Sequence, residues 1–276
     1  MSRLMSITNL RLMPLFCCCC AAAAEPAITA TPQPGSSLGA SLRHEADNAK
    51  RLAADWLADR QRPDGSWGSA ARNTELTPAA WLALKGMGNA VDAVARDRAV
   101  VWFADQPLDA DTSFDACVWR YLMMSTALPD TPEREAQLDA LIRTMLPLAP
   151  YGATYSRWLW EDLTFPTVPT TMVPLSVFAK RQLALIAPDY PIVTQNTETL
   201  WHFARLINRH AKGVWMRGTE ALDWRNDFAR ALISGQRKDP RGGGYWDSPA
   251  LSADNTPDDA RIRATAFALL ALLEID

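Results

Sequence analysis

Apolar residues recur along this chain with a period near 3.6, and no segment alternates with period 2 for long enough to predict a strand. In one class of segment the apolar positions keep to a stripe. Ala46, Ala49, Leu52, Ala53, Trp56 and Leu57 face away from Glu45, Asp47, Lys50 and Asp55. Leu138, Leu141, Ile142 and Met145 repeat the pattern, as do Leu200, Trp201, Phe203, Ala204 and Ile207 among Glu198, Arg205 and Arg209. Such helices keep a wet side. A second class, at 79–84, 116–124 and 264–273, is apolar nearly all round and must be covered on every side. The two classes mostly alternate, outer then inner. That alternation predicts an all-α fold, a double-layered stack or ring of helical hairpins.

Helix starts are marked by Thr77-Pro78, Thr131-Pro132 and Thr256-Pro257, each an N-cap hydroxyl before a proline at the first helical position. Glu133, Asp258 and Asp259 then place acids in the positive first turn. Aligning the outer-to-inner turns exposes a repeat. Gln61, Asp64-Gly65-Ser66-Trp67-Gly68, Thr77 and Ala80-Trp81-Leu82-Ala83-Leu84 correspond to Gln236, Gly243-Gly244-Tyr245-Trp246-Asp247 and Thr265-Ala266-Phe267-Ala268-Leu269-Leu270. A degenerate copy runs from Trp102 to Gln106 and on to Thr112 and Trp119. In each, a helix ends in Gln, a turn follows, and an apolar helix begins; glycine permits positive φ in the turn, and the indole covers the helix end.

Composition adds a compartment. The 276 residues carry a formal charge of −3, 48% hydrophobic residues, 11 Trp, 19 Pro and 5 Cys. Arg3 and Arg11 precede an uncharged run from Leu12 to Ala24 that closes on Ala22 and Ala24, an A-x-A pattern, so residues 1–24 read as a signal peptide cleaved near Ala24. The run falls short of the roughly 20 apolar residues that span a bilayer. Bulky Phe16 before Cys17 argues against lipoprotein processing. Residues 25–43 read as a Pro/Ser-rich tether and 44–276 as one folded domain. The mature chain is then exported, periplasmic or extracellular, without a transmembrane span. It keeps Cys117 alone of its cysteines, and losing Arg3 and Arg11 takes its charge from −3 to −5. An acidic chain without a basic stripe excludes nucleic acid as a partner.

Gln61-x-x-Asp-Gly-Ser-Trp67-Gly and Gln236 with Gly244-Tyr245-Trp246 resemble the QW motif of the squalene cyclase and protein prenyltransferase superfamily, and the Thr-led apolar helix after each turn resembles that family's inner helix. The resemblance implies an α/α toroid around a central cavity, with Gln and Trp tying each outer helix to its neighbour. About nine helices are read from the pattern, against twelve in a full six-hairpin ring, so the expectation is a toroid or an incomplete double-layered ring. Residues 150–170 break the rhythm and read as a loop over one end.

Cyclases of that superfamily protonate an alkene with a D-x-D-D motif, whose nearest match here is Asp109-Ala110-Asp111-Thr112. The chemistry needs one carboxyl kept protonated by another. Thr112 replaces the last Asp, and Asp111 serves equally well as a helix cap. Prenyltransferases hold zinc through a D-x-C pair and a distant His; Asp115-Ala116-Cys117 with His202 or His210 has the residue types. A lone Cys in an apolar helix packs as a small hydrophobe, so neither metal nor cofactor is expected. Glu75, Arg261 and Arg263 lie near inner-helix starts, and Glu161 and Asp162 in the long loop; all suit a cavity mouth or a solvated surface. Trp81 and Trp119 would line a pocket, and Trp158 and Trp160 would form a binding rim or a hydrophobic plug. The expected function is binding of a small-molecule, lipid-like or carbohydrate ligand, or of a protein partner, at the central cavity or its rim. The alternative is an enzyme on the same scaffold, cyclase-like through Asp109 and Asp111 or polysaccharide-active. An open solenoid for protein docking is a third reading, and it requires the first and last hairpins to stay apart.

Overall fold

The periodic segments fold as helices. A computed structural model describes residues 38–88, 93–106, 114–148, 196–210, 213–217, 219–248 and 257–276, all within one compact unit, Gln33–Asp276. Its helices are α1 (Ala40–Asp59), α2 (Asn73–Gly86), α3 (Ala93–Ala104), α4 (Phe114–Ala127), α5 (Pro132–Leu148), α6 (Thr197–His210), α7 (Trp224–Gly235) and α8 (Pro257–Ile275). Two antiparallel ribbons join them: β1 (Trp215–Arg217) with β2 (Glu220–Leu222), and β3 (Arg237–Lys238) with β4 (Gly244–Tyr245). The strands, two or three residues each, are too short for a period of 2 to show in the sequence. Among the described residues no helix is long and apolar enough to cross a membrane.

Two of the proline-marked starts are as expected. Helix α5 opens at Pro132, where the Thr131 hydroxyl accepts the Arg134 N–H at 3.2 Å, and α8 opens at Pro257. Helix α2 differs, beginning at Asn73 and carrying Pro78 inside it. The Asn73 and Leu76 amides donate to the Ser69 and Arg72 carbonyls, building a turn ahead of the proline. Thr77 is fully buried, and its hydroxyl accepts the Trp67 amide instead of capping a helix. Helix α1 starts at Ala40, four residues before the expected boundary at His44, with Leu38 already buried.

Cross-helix contacts fix the directions. Thr197 Oγ1 donates to the Ala264 carbonyl, Glu198 pairs with Arg263, and Arg205 with Glu274, so α6 and α8 run parallel. Glu75 lies 3.7 Å from Arg263, and Gly86 abuts Leu273, so α2 is parallel to α8 as well. Helix α1 is antiparallel: Lys50 meets Asp276 at 2.6 Å, and Arg60 lies 3.7 Å from Asp258. Helix α6, which its polar stripe places in the outer class, therefore lies beside the all-apolar α8. Its polar residues are absorbed there, because Arg205 and Asn208 both bond Glu274.

The two Gln–Trp turns hold the hairpins together with the same bonds. Trp67 Nε1 donates to the Leu57 carbonyl at 2.7 Å, and Trp246 Nε1 to the Leu232 carbonyl at 2.8 Å, each closing the end of the helix that leads into its turn. Their backbone amides donate to the buried Thr77 and Thr265 hydroxyls at 2.9 and 3.2 Å. The glutamines reach outward. Gln61 Nε2 donates to Ala95 O in α3 at 2.7 Å, and Gln236 Nε2 to Ala49 O in α1 at 2.9 Å. One glycine in each turn makes the close approach possible: a Cβ on Gly65 would strike the Arg98 carbonyl, and one on Gly243 would press on Trp56 and the Leu52 carbonyl. The last hairpin thus docks on α1 as the first docks on α3. Asp259 of α8 also accepts the Ser69 amide at 2.7 Å and hydroxyl at 2.8 Å. The first and last hairpins touch, against the open-solenoid expectation.

Between the parallel helices the core is aromatic. Trp119 of α4 stacks on Trp201 of α6 at 5.7 Å and meets the edge of Phe267 of α8 at 5.5 Å.

Candidate functional site

Asp109, Asp111, Trp158 and Trp160 lie outside the described residues, as do Glu161 and Asp162. Trp81 and Trp119 are each 4% exposed and belong to the core. Lys85 Nζ sits 5.0 Å from the Trp81 ring, and the Trp119 ring is packed by Trp201 and Phe267. Both indoles pack within the helical core.

Glu75 is brought into a charged cluster where α2, α6 and α8 meet. Arg263 donates from Nε and a terminal nitrogen to the two Glu198 oxygens, both at 3.1 Å, and stands 3.7 Å from Glu75, which also pairs with Arg72 at 3.4 Å. Glu75 and Glu198 are in the first turns of α2 and α6. A carboxylate there complements the helix dipole, so these helix ends carry their own anions. Beneath them His202 is buried against Trp201 and Phe267. Burial, with Arg205 and Arg263 nearby, lowers its pKa to about 3, and the imidazole is neutral near pH 7. The neutral ring packs against Trp201 and Phe267.

Of the zinc-type residues, the side chains of Asp115 and His210 lie outside the described residues. Cys117 is fully buried in α4, and burial pushes its thiol up despite the charge of Arg120, which disfavours the thiolate that a metal requires. Among the described residues no three metal-ligating side chains converge.

A concavity that the sequence reading did not single out as a site lies where the Gln236–Trp246 turn rests on α1. Trp56, Arg60, Asp239, Pro240, Arg241, Tyr245 and Arg261 line about 290 Å³. Trp56 and Tyr245 stack at 5.5 Å; Arg60 lies 5.0 Å from the Trp56 ring and Arg261 5.2 Å from the Tyr245 ring. Asp239 is the organising group: it accepts Trp56 Nε1 at 3.0 Å, Arg60 at 2.9 Å and the Arg241 amide at 2.9 Å. The Arg241 amide bond, against the cost of burial and with help from Trp56 and Arg60, lowers the Asp239 pKa to about 2. Arg261 is held by Asp247 at 2.9 Å, and that bond raises its pKa further. Arg261 was a sequence candidate; Arg60, Asp239, Arg241 and Tyr245 were missed. Their signal was the charged run Arg237-Lys238-Asp239-Pro240-Arg241 inside a motif whose other copy is shorter.

No protein-family model matches the chain, and no curated protein matches it.

Proposed function

We propose that this chain is an exported α/α-toroid-type repeat protein, like those of the terpenoid cyclase and prenyltransferase superfamily, that binds a ligand or partner at its rim. The observation that carries the scaffold reading is the reuse of one docking contact. A turn glutamine bonds a carbonyl of the neighbouring outer helix at both Gln61–Ala95 and Gln236–Ala49, so the hairpins α7–α8, α1–α2 and α3–α4 follow one another in space although α7–α8 is last in the chain. A ring needs that return of the last hairpin to the first. The aromatic packing of Trp119, Trp201 and Phe267 directs binding away from the centre of the described helices and toward the rim, where the Trp56–Arg60–Tyr245–Arg261 cleft opens.

The test is thermal-shift profiling of the chain from residue 25 with terpenoids, oligosaccharides and cell-wall fragments. One compound class raises the unfolding midpoint, and the shift disappears in Tyr245→Ala, at the cleft, or in Trp158→Ala. No shift with any class overturns ligand binding at the rim. Turnover of a terpenoid or polysaccharide that is lost in Asp109→Asn or Asp111→Asn would install the enzyme reading in its place.

A further inference from the structure

The cleft on the second turn has more hydrogen-bond donors than its own acids can occupy. Three guanidiniums line it; Asp239 is already taken by Trp56, Arg60 and the Arg241 amide, and Asp247 holds Arg261 through its Nε alone, at 2.9 Å. The neighbouring Asp258 stands 3.7 Å from Arg60 and 3.9 Å from Arg261, beyond hydrogen-bond reach. The Arg241 side chain, 65% exposed, comes only within 3.5 Å of Asp239. Arg60 Nε is buried with no hydrogen-bond partner among the described residues. Asp239, Asp247 and Asp258 offset the charge of the three arginines, so what the cleft offers is guanidinium N–H donors rather than excess positive charge.

We propose that this cleft binds a small ligand through an oxyanion, a carboxylate or a phosphate group. The proposal rests on the rim-binding reading above and names the chemistry of the ligand. Guanidiniums present several N–H donors in one plane and grip such groups in pairs of parallel bonds. Here two of them are held over aromatic rings, Arg60 on Trp56 and Arg261 on Tyr245, so little side-chain freedom is lost on binding. Arg241 supplies the exposed third donor from a loop that Asp239 pins by the backbone. The volume of about 290 Å³ suits a ligand of monosaccharide or amino-acid size.

Titration calorimetry of the full chain in low-salt buffer tests this with three probes: inorganic phosphate, galacturonate, and galactose as the neutral counterpart of the latter. At least one anion binds, galactose does not, and the affinity falls as salt is added. Arg241→Ala and Arg261→Gln each weaken binding by about tenfold, while Arg241→Ala leaves the unfolding midpoint unchanged. Phosphate binding alone assigns a phosphate-bearing ligand, and galacturonate binding alone assigns a carboxylate. The inference is overturned when neither anion binds, or when the Arg241→Ala/Arg261→Gln double variant binds as the parent does. A neutral oligosaccharide or terpenoid that binds the Tyr245-dependent site while both anions fail would sink the oxyanion assignment and leave rim binding standing. Silence from every probe sinks both.

Discussion

The two Gln–Trp turns share a lock and differ in what is built on it. In each, an indole closes the preceding helix, a buried threonine receives the backbone amide of that tryptophan, a glutamine bonds a neighbouring helix and a glycine lets the chains approach. Both carry an aspartate three residues after the glutamine, and there they diverge. Asp64 turns inward on its own loop, accepting the Ser66 amide at 3.0 Å and hydroxyl at 2.7 Å. Asp239 turns toward α1, to Trp56 and Arg60. The second turn spans ten positions from Gln to Trp where the first spans six, and the added length carries Pro240, Arg241 and Gly242. That insertion supplies Pro240 and Arg241 to the lining of the cleft. The lesson is that a repeat's shared residues hold the fold, and its departures from the repeat are where to look for function.

Removing the indoles breaks the comparison most severely. Trp67→Ala and Trp246→Ala each delete a buried ring and its helix-end bond, lowering unfolding free energy by about 3–5 kcal/mol in urea titrations. A loss below about 1 kcal/mol at either would mean that the two turns are not equivalent locks. The glycines sharpen the contrast. Gly65→Ala, at φ +95° and against the Arg98 carbonyl, costs about 2–4 kcal/mol. Gly242→Ala, at φ +98° but facing open space, costs the backbone preference alone, about 1–2 kcal/mol. Equal costs would show that the insertion packs as tightly as the lock. Thr77→Val and Thr265→Val each leave a buried Trp amide unsatisfied, at about 1–3 kcal/mol, with the longer Thr265 bond giving the smaller loss by the same titration.

Acid provides the mildest test. Asp64 titrates below its ordinary range because the Ser66 bonds outweigh the upward push of burial, and Asp239 is lowered to about 2, the Arg241 amide leading. A carboxyl lowered in the folded state stabilises it above the unfolded value of 3.8, and that stabilisation is lost as pH falls through the folded value. The denaturant midpoint of the parent therefore drops between about pH 4 and pH 2, and Asp239→Asn flattens that drop more than Asp64→Asn does. The reverse order would make the first turn the more strongly charged one.

Much of this architecture was legible in the chain. Periodicity located the helices, and the Gln, Gly and Trp of the two turns announced contacts that the fold then makes. Proline was a good guide at Pro132 and Pro257 and a poor one at Pro78, because Thr77 was needed by Trp67 rather than by a helix end. The polar stripe of α6 misplaced it, since a stripe cannot say whether its polar groups meet water or, as Arg205 and Asn208 do, a neighbouring helix end. The candidate site was least legible. Trp81 and Trp119 have the residue type of pocket walls and the burial of core, and indoles serve both roles.

The sequence by itself determined the helical class, the two hairpin turns and the residues that lock them, because helix periodicity and turn chemistry act between residues close along the chain. Only the tertiary structure decided that the last hairpin returns to α1, and so that Arg60 and Trp56 stand opposite Asp239 and Tyr245, almost two hundred positions away. Charge and ring contacts between such distant segments have no period or spacing to read. They exist only after burial of the apolar helix faces has brought the segments together.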